Sequence, residues 1–211
     1  MVKEVNSLKV IEKVVSKIVP GSAPSFTKVH VIKALEMVGA RETVGRKRLS
    51  KWLGLGEGTV RTLIKHLKIV GLIKTSRSGV ALSKFGKKVL SDLRSRITGG
   101  IDIPDSSLTI GPSNVAVLVR NVSDAVRYGI EQRDAAIKVG ALGATTLIFR
   151  RNKLTMPGVS GGVFEEIPFI YNILLARLKP RENDVIIIGS ANEKRLAEFG
   201  AKAAAFELLK N

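Results

Sequence analysis

Apolar residues in the first part of the chain recur at the spacing of amphipathic helices. Over residues 3–19 an apolar position follows every three or four residues with lysines between, and residues 28–39 repeat the pattern. This period puts the apolar side chains on one face of a helix. It predicts a first helix that stops at the Pro and Gly residues of 20–24, and a second helix capped by Ser25 or Thr27 and ending at Gly39.

Two shorter helices and a hairpin are predicted next. Residues 46–53 and 57–70 each have an apolar face, and the three-residue turn between them makes the second helix cross the first. Gly71 ends this second helix. Residues 72–75 and 80–82 then form the strands of a hairpin around a Ser-Arg-Ser-Gly turn, and Ser83 caps a closing helix.

The second half of the chain alternates between strand and helix patterns. Short apolar runs predict strands, and longer periodic runs predict helices. The predicted strands cover 115–120, 145–150, 154–157 and 184–189, and the predicted helices cover 123–139, 167–178 and 193–209. The order β-α-β-β-α-β plus a C-terminal helix is that of a ferredoxin-like α/β sandwich, with a Rossmann-like three-layer arrangement as the alternative. The predicted fold class of the whole chain is α+β.

A stretch rich in turn-forming residues separates these two patterns. Residues 97–111 contain several Gly, Pro and Ser residues and show no hydrophobic period. Stretches of this composition mark domain boundaries. The sequence therefore predicts an N-terminal domain over residues 1–96, a linker over 97–111 and a second domain over 112–211.

The positive charge of the chain is concentrated in its first half. The net charge is +17. Residues 1–100 hold 21 Lys and Arg against 6 Asp and Glu, which gives +15, whereas residues 101–211 hold 14 against 12, which gives +2. Such an asymmetry indicates that one half faces a polyanion. A thermophile's charged surface is the competing explanation, but it would raise Glu together with Lys, and the first half has few Glu.

Residue types that form common catalytic and metal sites are scarce. There is no Cys, and both histidines lie in the first half: His30, expected to pack within its helix, and His66, expected to be exposed. The second half therefore lacks thiol and imidazole groups. It also has no P-loop and no dinucleotide fingerprint. We expect no cofactor, no metal and no enzymatic activity. Since no apolar run approaches the roughly 18 residues of a membrane helix, we expect a soluble cytoplasmic protein.

The basic residues of the first domain fall on faces that the apolar pattern leaves exposed. Near the N-terminus of helix 57–70 these faces hold Thr59, Arg61, Thr62 and Lys65. The first turns of such a helix can enter the major groove, where Arg pairs with guanine and Thr packs on a thymine methyl. The other residues expected to contact the DNA are Arg46, Lys47, Lys51, Lys74 and Arg77. This surface predicts double-stranded DNA as the partner.

One continuous run resembles a known DNA-binding family. The segment LSKWLGLGEGTVRTLIKHLKIVGLI, followed by a hairpin and LSKFGKKVL, is similar to the winged helix-turn-helix of prokaryotic transcription regulators over residues 26 to 95. The resemblance implies groove-facing roles for Thr59, Arg61, Thr62 and Lys65, and a wing contact for Arg77. Gly56 stands where such domains often have a Ser cap. The two-domain layout also resembles a group of archaeal proteins with a winged helix ahead of an uncharacterised domain.

The second domain is expected to sense a small-molecule effector or to mediate homodimerisation. Residues 189–192 follow an apolar strand and open a helix, a geometry in which backbone N–H groups hold an anion. The ligand-binding residues predicted there are Gly189, Ser190 and Asn192. A glycine-rich loop at 158–162 is a second candidate, and ordinary turn chemistry explains both as well. The N-terminal helix either packs on its own domain or forms the dimer.

Three other functions are compatible with these patterns. The second half could be a small-molecule enzyme such as a phosphotransferase, with its chemistry around Asp184 or Glu165 and the winged helix as a fused regulator. The basic domain could bind RNA. Winged helices also serve as protein–protein modules, because a fold alone does not settle function. The charge asymmetry favours a DNA-binding transcription regulator over all three.

Overall fold

The computed structural model divides the chain into two compact units, residues 1–94 and residues 95–211. It describes residues 6–16, 24–159, 164 and 167–210. The first unit consists of helices and a two-stranded hairpin, and the second has a five-stranded antiparallel sheet with helices on its faces. The predicted α+β fold class is confirmed.

The first unit contains the predicted elements in the predicted order. They are α1 (Ser7–Val15), α2 (Lys28–Gly39), α3 (Arg46–Leu53), α4 (Glu57–Ile69), β1 (Ile73–Ser76), β2 (Gly79–Leu82) and α5 (Lys84–Arg96). The core of the unit is mostly aliphatic, and every helix contributes fully buried side chains to it. The largest are Ile11, Leu35, Leu49, Leu53, Leu63, Leu67 and Leu72.

Helix α1 packs within its own unit. Asn6 caps it by accepting a hydrogen bond from the Lys9 N–H at 3.1 Å, and Ile11 and Val14 are fully buried. Of the two interpretations of this helix, the structure shows packing on its own domain. The outer parts of the predicted helix, and the Pro-Gly stop that follows it, lie outside the described residues.

The hairpin is joined to the helices by an extra β-bridge. Val44, in the loop before α3, pairs with Val80 of β2, and the two residues exchange backbone hydrogen bonds of 2.9 Å. Gly79 precedes Val80 with a φ of 131°, and a Cβ there would lie 2.7 Å from the Val44 carbonyl oxygen. Only glycine combines this positive φ with so close an approach of the Val44 carbonyl. The glycine of the turn sequence Ser-Arg-Ser-Gly therefore allows the hairpin to pack on the loop before α3.

The second unit is built around one sheet. Its elements are β3 (Ile97–Asp102), β4 (Ser113–Val119), a 3₁₀ turn (Ser123–Ala125), α6 (Ile130–Ile137), β5 (Gly143–Arg150), β6 (Lys153–Thr155), α7 (Pro168–Leu178), β7 (Val185–Ala191) and α8 (Lys194–Leu208). The strand order is β3-β4-β7-β5-β6, with antiparallel neighbours throughout. From β4 onward the predicted succession β-α-β-β-α-β is therefore present.

Helices cover both faces of this sheet. Alternate residues of β7 illustrate the division, because Ile186 and Ile188 pack with α7 while Val185 and Ile187 pack with α8. Helix α6 lies on the same face as α8, where Ala136 packs with Ala197. A ferredoxin-like sandwich has its helices on one face, so the layering corresponds to the three-layer alternative. A Rossmann-like sheet is mostly parallel, so the antiparallel pairing differs from that alternative too.

Two local predictions differ from the structure. The segment predicted as a linker begins with strand β3, in which Gly99 and Gly100 form an irregularity in the pairing with β4 and have positive φ angles near 100°. The helix predicted over 123–139 is divided, because Gly129 is left-handed with a φ of 78° and α6 begins after it. In the first case the glycines lie inside a strand, and in the second a glycine interrupts the predicted helix and opens a new one.

Among the described residues, no helix combines the length and the apolar character that crossing a membrane requires.

Candidate nucleic-acid interface

The crossing of α3 and α4 is fixed by a glycine-flanked turn. Gly54 ends α3 in the left-handed conformation with a φ of 66°, and its N–H donates to the Ser50 carbonyl at 2.9 Å. The Ser50 hydroxyl donates to the carbonyl of Leu55, which holds the turn closed. Gly56 then caps α4 without a side-chain hydrogen bond. The turn leaves the start of α4 free of any covering side chain at Gly56 and Gly58, where an added Cβ would meet nothing within 4 Å.

Helix α4 has one buried face and one open face. Val60, Leu63, Ile64, His66 and Leu67 form the buried face. The open face presents Gly58, Arg61, Lys65 and Lys68 as exposed residues, with Thr59 and Thr62 half-buried beside them.

The two threonines of α4 already have hydrogen-bond partners within the unit. The hydroxyls of Thr59 and Ser25 lie 3.2 Å apart, and the Thr62 hydroxyl donates to the Gly58 carbonyl at 3.2 Å. The Thr62 hydroxyl would have to leave that carbonyl to donate to a base edge. Their methyl groups need no such exchange, so apolar contact with a thymine methyl is the cheaper role for both.

The seven predicted basic residues are all exposed. Arg46, Lys47 and Lys51 lie on α3, Arg61 and Lys65 on α4, and Lys74 and Arg77 on the hairpin. Within the described part of the chain, none of the seven forms an ion pair. Here they are called the cation set. Because no carboxylate of the described residues neutralises them, their charge is available to an external anion. Whether these seven and the two threonines touch nucleic acid stays a prediction.

The tip of the hairpin is held in shape by serine hydroxyls. The Ser76 and Ser78 hydroxyls lie 2.7 Å apart, and the Ser76 hydroxyl also reaches the Gly79 carbonyl at 3.3 Å. Arg77 lies between them at the outermost point of the turn, with an exposed side chain. The predicted wing residue is therefore displayed by an ordered turn.

Two arginines outside the predicted site stack on Trp52. The Arg41 guanidinium lies 4.6 Å from the ring centroid and that of Arg48 lies 5.7 Å from it. The four-residue spacing of Arg48 and Trp52 on α3 is a signal that sequence could have supplied. Arg41 could not have been found this way, since it belongs to the loop after α2. Stacking orients both guanidiniums and leaves their positive charge intact.

His66 is a core residue, and the prediction that it is exposed is wrong. Its ring is 1% exposed, and Nδ1–H donates to the Val14 carbonyl at 2.7 Å. Phe26 meets the same ring edge-on with centroids 5.3 Å apart. The imidazole thus pins α1 to α4. His30, expected to pack within its helix, is half-buried and acts as a cap: its Nδ1 accepts a hydrogen bond from the Thr27 N–H at the start of α2.

The predicted ligand loop at 189–192 is largely strand, so that prediction needs correction. Gly189 and Ser190 lie inside β7 and are buried between β4 and β5, and only Asn192 is in an exposed turn. A Cβ at Gly189 would lie 2.2 Å from the Ala197 carbonyl oxygen, so this glycine admits the backbone of α8 rather than an anion. Most of the glycine-rich loop at 158–162 lies outside the described residues.

The carboxylates considered for catalysis do not form a site in the described residues. Asp184 is buried and holds loops together: Oδ2 accepts from Arg120 at 2.6 Å and from the Arg181 N–H at 2.8 Å, and Oδ1 accepts from the Asn121 N–H at 2.9 Å. Glu165 lies outside the described residues. Among the residues described, no group of His, Asp and Glu could hold a metal ion.

Comparisons with known proteins match both halves of the chain. A model of the PH0730-like N-terminal domain matches residues 31–88, and a model described as "Domain of unknown function (DUF4443)" matches residues 110–208. A solved structure titled "Hypothetical protein PH0730 from Pyrococcus horikoshii OT3" is 28% identical, with a TM-score of 0.70 over 88% of this chain and 94% of that chain. No curated protein matches. The expected resemblance to archaeal two-domain proteins is confirmed, and the printed descriptions assign no activity.

Proposed function

We propose that this protein is a DNA-binding transcription regulator whose first unit docks on double-stranded DNA as a winged helix. The observation that supports this most strongly is the cation set: seven exposed basic side chains on α3, α4 and the hairpin, without ion pairs among the described residues. The elements that display them follow the order of a helix-turn-helix and its wing. In this arrangement α4 enters the major groove and Arg77 reaches the neighbouring minor groove or phosphate.

The start of α4 suits close approach to a phosphate. Its first N–H groups have no side-chain cap, and the open space around Gly56 and Gly58 lets a backbone oxygen come near them. Glu57, in the same turn, opposes an anion electrostatically. Arg61 and Lys65 follow one and two turns later on the open face and supply two positive charges against that single negative charge.

The second unit is proposed to form a homodimer. Ile110, Ile137 and Leu142 are large apolar side chains that are 62%, 48% and 41% exposed. Ile110 and Leu142 flank the same pair of loops, since a Cβ at Gly143 would touch Ile110 and one at Gly111 would touch Leu142. Because residues 101–211 have a net charge near +2, two copies can meet through them without the repulsion that the first halves would create. In this proposal the second unit acts by binding rather than by catalysis.

A charge-matched pair of variants tests the DNA-binding proposal. Arg61→Glu/Lys65→Glu changes the open face of α4, and Lys138→Glu/Lys153→Glu makes the same change in net charge on exposed lysines of the second unit. Binding is measured by fluorescence anisotropy with a labelled 30-base-pair duplex at low salt. The first variant should lose at least about a hundredfold in affinity for the duplex, and the second should lose little. Equal losses would contradict the assigned surface.

A competition experiment separates DNA from RNA as the partner. The same labelled duplex is displaced by unlabelled duplex DNA or by a structured RNA hairpin of equal charge at matched salt. The proposal predicts that DNA competes more effectively, because an α-helix fits the major groove of B-form DNA and not that of A-form RNA. Stronger competition by the RNA hairpin would identify RNA, and not DNA, as the partner.

A further inference from the structure

A cleft opens in the first unit between the end of α2, strand β2 and one face of α5. Its volume is about 650 Å³, which lies within the roughly 300–1,000 Å³ of small-molecule sites. Val38, Leu82 and Leu90 form its apolar walls, and Val38 and Leu90 also belong to the core of the unit. The cleft therefore has room for a small organic molecule and an apolar surface against which part of it can rest.

Three basic side chains border this cleft. Lys87 and Arg94 lie seven residues apart on α5, and therefore on the same face of the helix, with Leu90 and Ser91 between them. Arg41, in the loop after α2, is the third. All three are exposed, and within the described part of the chain none of them forms an ion pair. Their charge is therefore available to a ligand.

Negative groups at the cleft are fewer and belong to one segment. Among the described residues that line it, Glu42 is the one acid, and it follows α2, whose C-terminal end carries a partial negative charge. An anionic group is therefore best placed along α5, beside Lys87 and Arg94, rather than against the end of α2. One carboxylate against three bases leaves two positive charges, which a dianion neutralises.

Trp52 orients the third base of the cleft. The Arg41 guanidinium lies 4.6 Å from the centroid of the Trp52 ring. A guanidinium that is stacked on a ring keeps the N–H donors in its own plane, where they can pair with a carboxylate or a phosphate. Because its orientation is already restricted, it loses less conformational freedom on binding. Trp52 is also the only tryptophan of the chain, so its indole N–H is a unique reporter beside Arg41.

We infer that this cleft binds a small organic dianion, a dicarboxylate or an organic phosphate that carries an apolar group. The anionic groups pair with the three bases, and the apolar group rests against Leu82 and Leu90. The effector site predicted at residues 189–192 of the second unit is thereby replaced by one in the first unit. Binding of the dianion does not rest on the proposed function, whereas its effect on DNA binding does.

Nuclear magnetic resonance titration of the ¹⁵N-labelled full chain tests this inference. The probes are adipate, isophthalate and phenyl phosphate at constant pH and ionic strength. Inorganic phosphate, which has charge without an apolar group, and benzyl alcohol, which has an apolar group without charge, are the comparisons. At least one probe should saturably shift the Trp52 indole signal and the amide signals of Arg41 and Ser91, at lower concentration than either comparison.

Two results would overturn the cleft site. One is the absence of saturable shifts with all three probes up to about 20 mM, which is weaker than the affinity expected of a ligand with about a dozen non-hydrogen atoms. The other is equally tight binding of inorganic phosphate, because the apolar walls would then contribute nothing.

Paired substitutions isolate the bases of the cleft. Lys87→Gln/Arg94→Gln removes two charges from the lining face of α5 and should weaken binding of the best dianion by about tenfold or more. Lys68→Gln/Lys88→Gln is the matched control, because both lysines are exposed in the same unit and neither lines the cleft. The control should keep most of the affinity. Equal losses would show that the general charge of the unit holds the dianion, and would contradict the cleft site.

Occupancy of the cleft should lower the affinity for duplex DNA if the proposed function is correct. Leu82 of the cleft wall lies on strand β2 of the hairpin, so a bound dianion adds negative charge to an element that faces DNA in the proposal. Duplex binding is therefore measured with and without the best dianion at constant ionic strength. An unchanged duplex affinity would contradict a regulatory role for the cleft.

The cleft site and the proposed function fail in different ways. A chain that binds a dianion but no duplex retains the site and contradicts the regulator function. A chain that binds duplex but none of the three probes retains the regulator function and contradicts the site.

Discussion

Lysines and arginines have different roles in the two units. In the second unit arginines and lysines neutralise carboxylates: Arg120 pairs with Asp184, Lys194 with Asp102 and Lys202 with Glu198, each at 2.6 Å. In the first unit the described residues leave the cation set without ion pairs. Basic residues in the second unit stabilise its loops and helices, whereas those of the cation set contribute little to the fold. The net positive charge that an external partner could meet is therefore concentrated in the first unit.

The largest expected effect is a loss of stability in the second unit. Arg120→Ala removes the cation beside Asp184, whose side chain is only 3% exposed while that of Arg120 is 31% exposed. Leaving a buried carboxylate uncompensated should lower the free energy of unfolding by about 3 kcal/mol. Lys47→Ala, in the cation set, should change it by less than about 0.5 kcal/mol. Urea denaturation measures the free energy of unfolding of both variants. Similar losses for the two would contradict the proposed difference between the units.

A second prediction sharpens the roles within the cation set. Arg61→Ala should weaken the free energy of binding to a selected DNA site by about 1–3 kcal/mol, because a base-reading contact is lost. The loss on a random duplex should be much smaller. Lys47→Ala should weaken both duplexes alike, as expected of a phosphate contact. Anisotropy titrations on the two duplexes distinguish these outcomes. Equal losses on both duplexes for Arg61→Ala would reject its base-reading role.

The third prediction concerns the nearly neutral second unit. Leu142→Glu introduces a charge beside the exposed Ile110, so burial of this apolar surface against a second copy becomes unfavourable. Sedimentation equilibrium should show the dimer dissociation constant rising by about tenfold or more. Lys153→Glu, an exposed residue of β6 in the same unit, is the control and should change the dissociation constant little. A wild-type chain that is monomeric at 100 μM (weaker than about 5.5 kcal/mol of association) would contradict the proposed dimer.

Sequence periodicity predicted the helices of the first unit well because each has a single apolar face. The boundaries of α3 and the order through the hairpin agree with the apolar pattern. The burial of His66 was not predictable in the same way. It depends on α1, whose Val14 carbonyl lies 52 residues away in sequence. The basic positions of the interface were identified from sequence as exposed residues, since polar residues opposite an apolar face are outward by default.

Glycine caused the errors in the second unit. Gly189 ended the predicted strand, yet β7 continues through it because α8 crosses at a distance that no side chain allows. Gly99 and Gly100 suggested a linker, yet they lie in β3. The order of strands in the sheet is set by contacts between distant segments, so the succession β-α-β-β-α-β could not distinguish this antiparallel three-layer arrangement from a ferredoxin-like one.

The salt dependence of duplex binding tests the central claim most directly, namely that the first unit's unpaired cations face DNA. If about six residues of the cation set contact phosphates, the logarithm of the binding constant should fall against the logarithm of salt concentration with a slope of roughly −5. Lys47→Ala should make this slope about one unit shallower. A slope near zero, or one unaffected by substitutions across the cation set, would contradict the account.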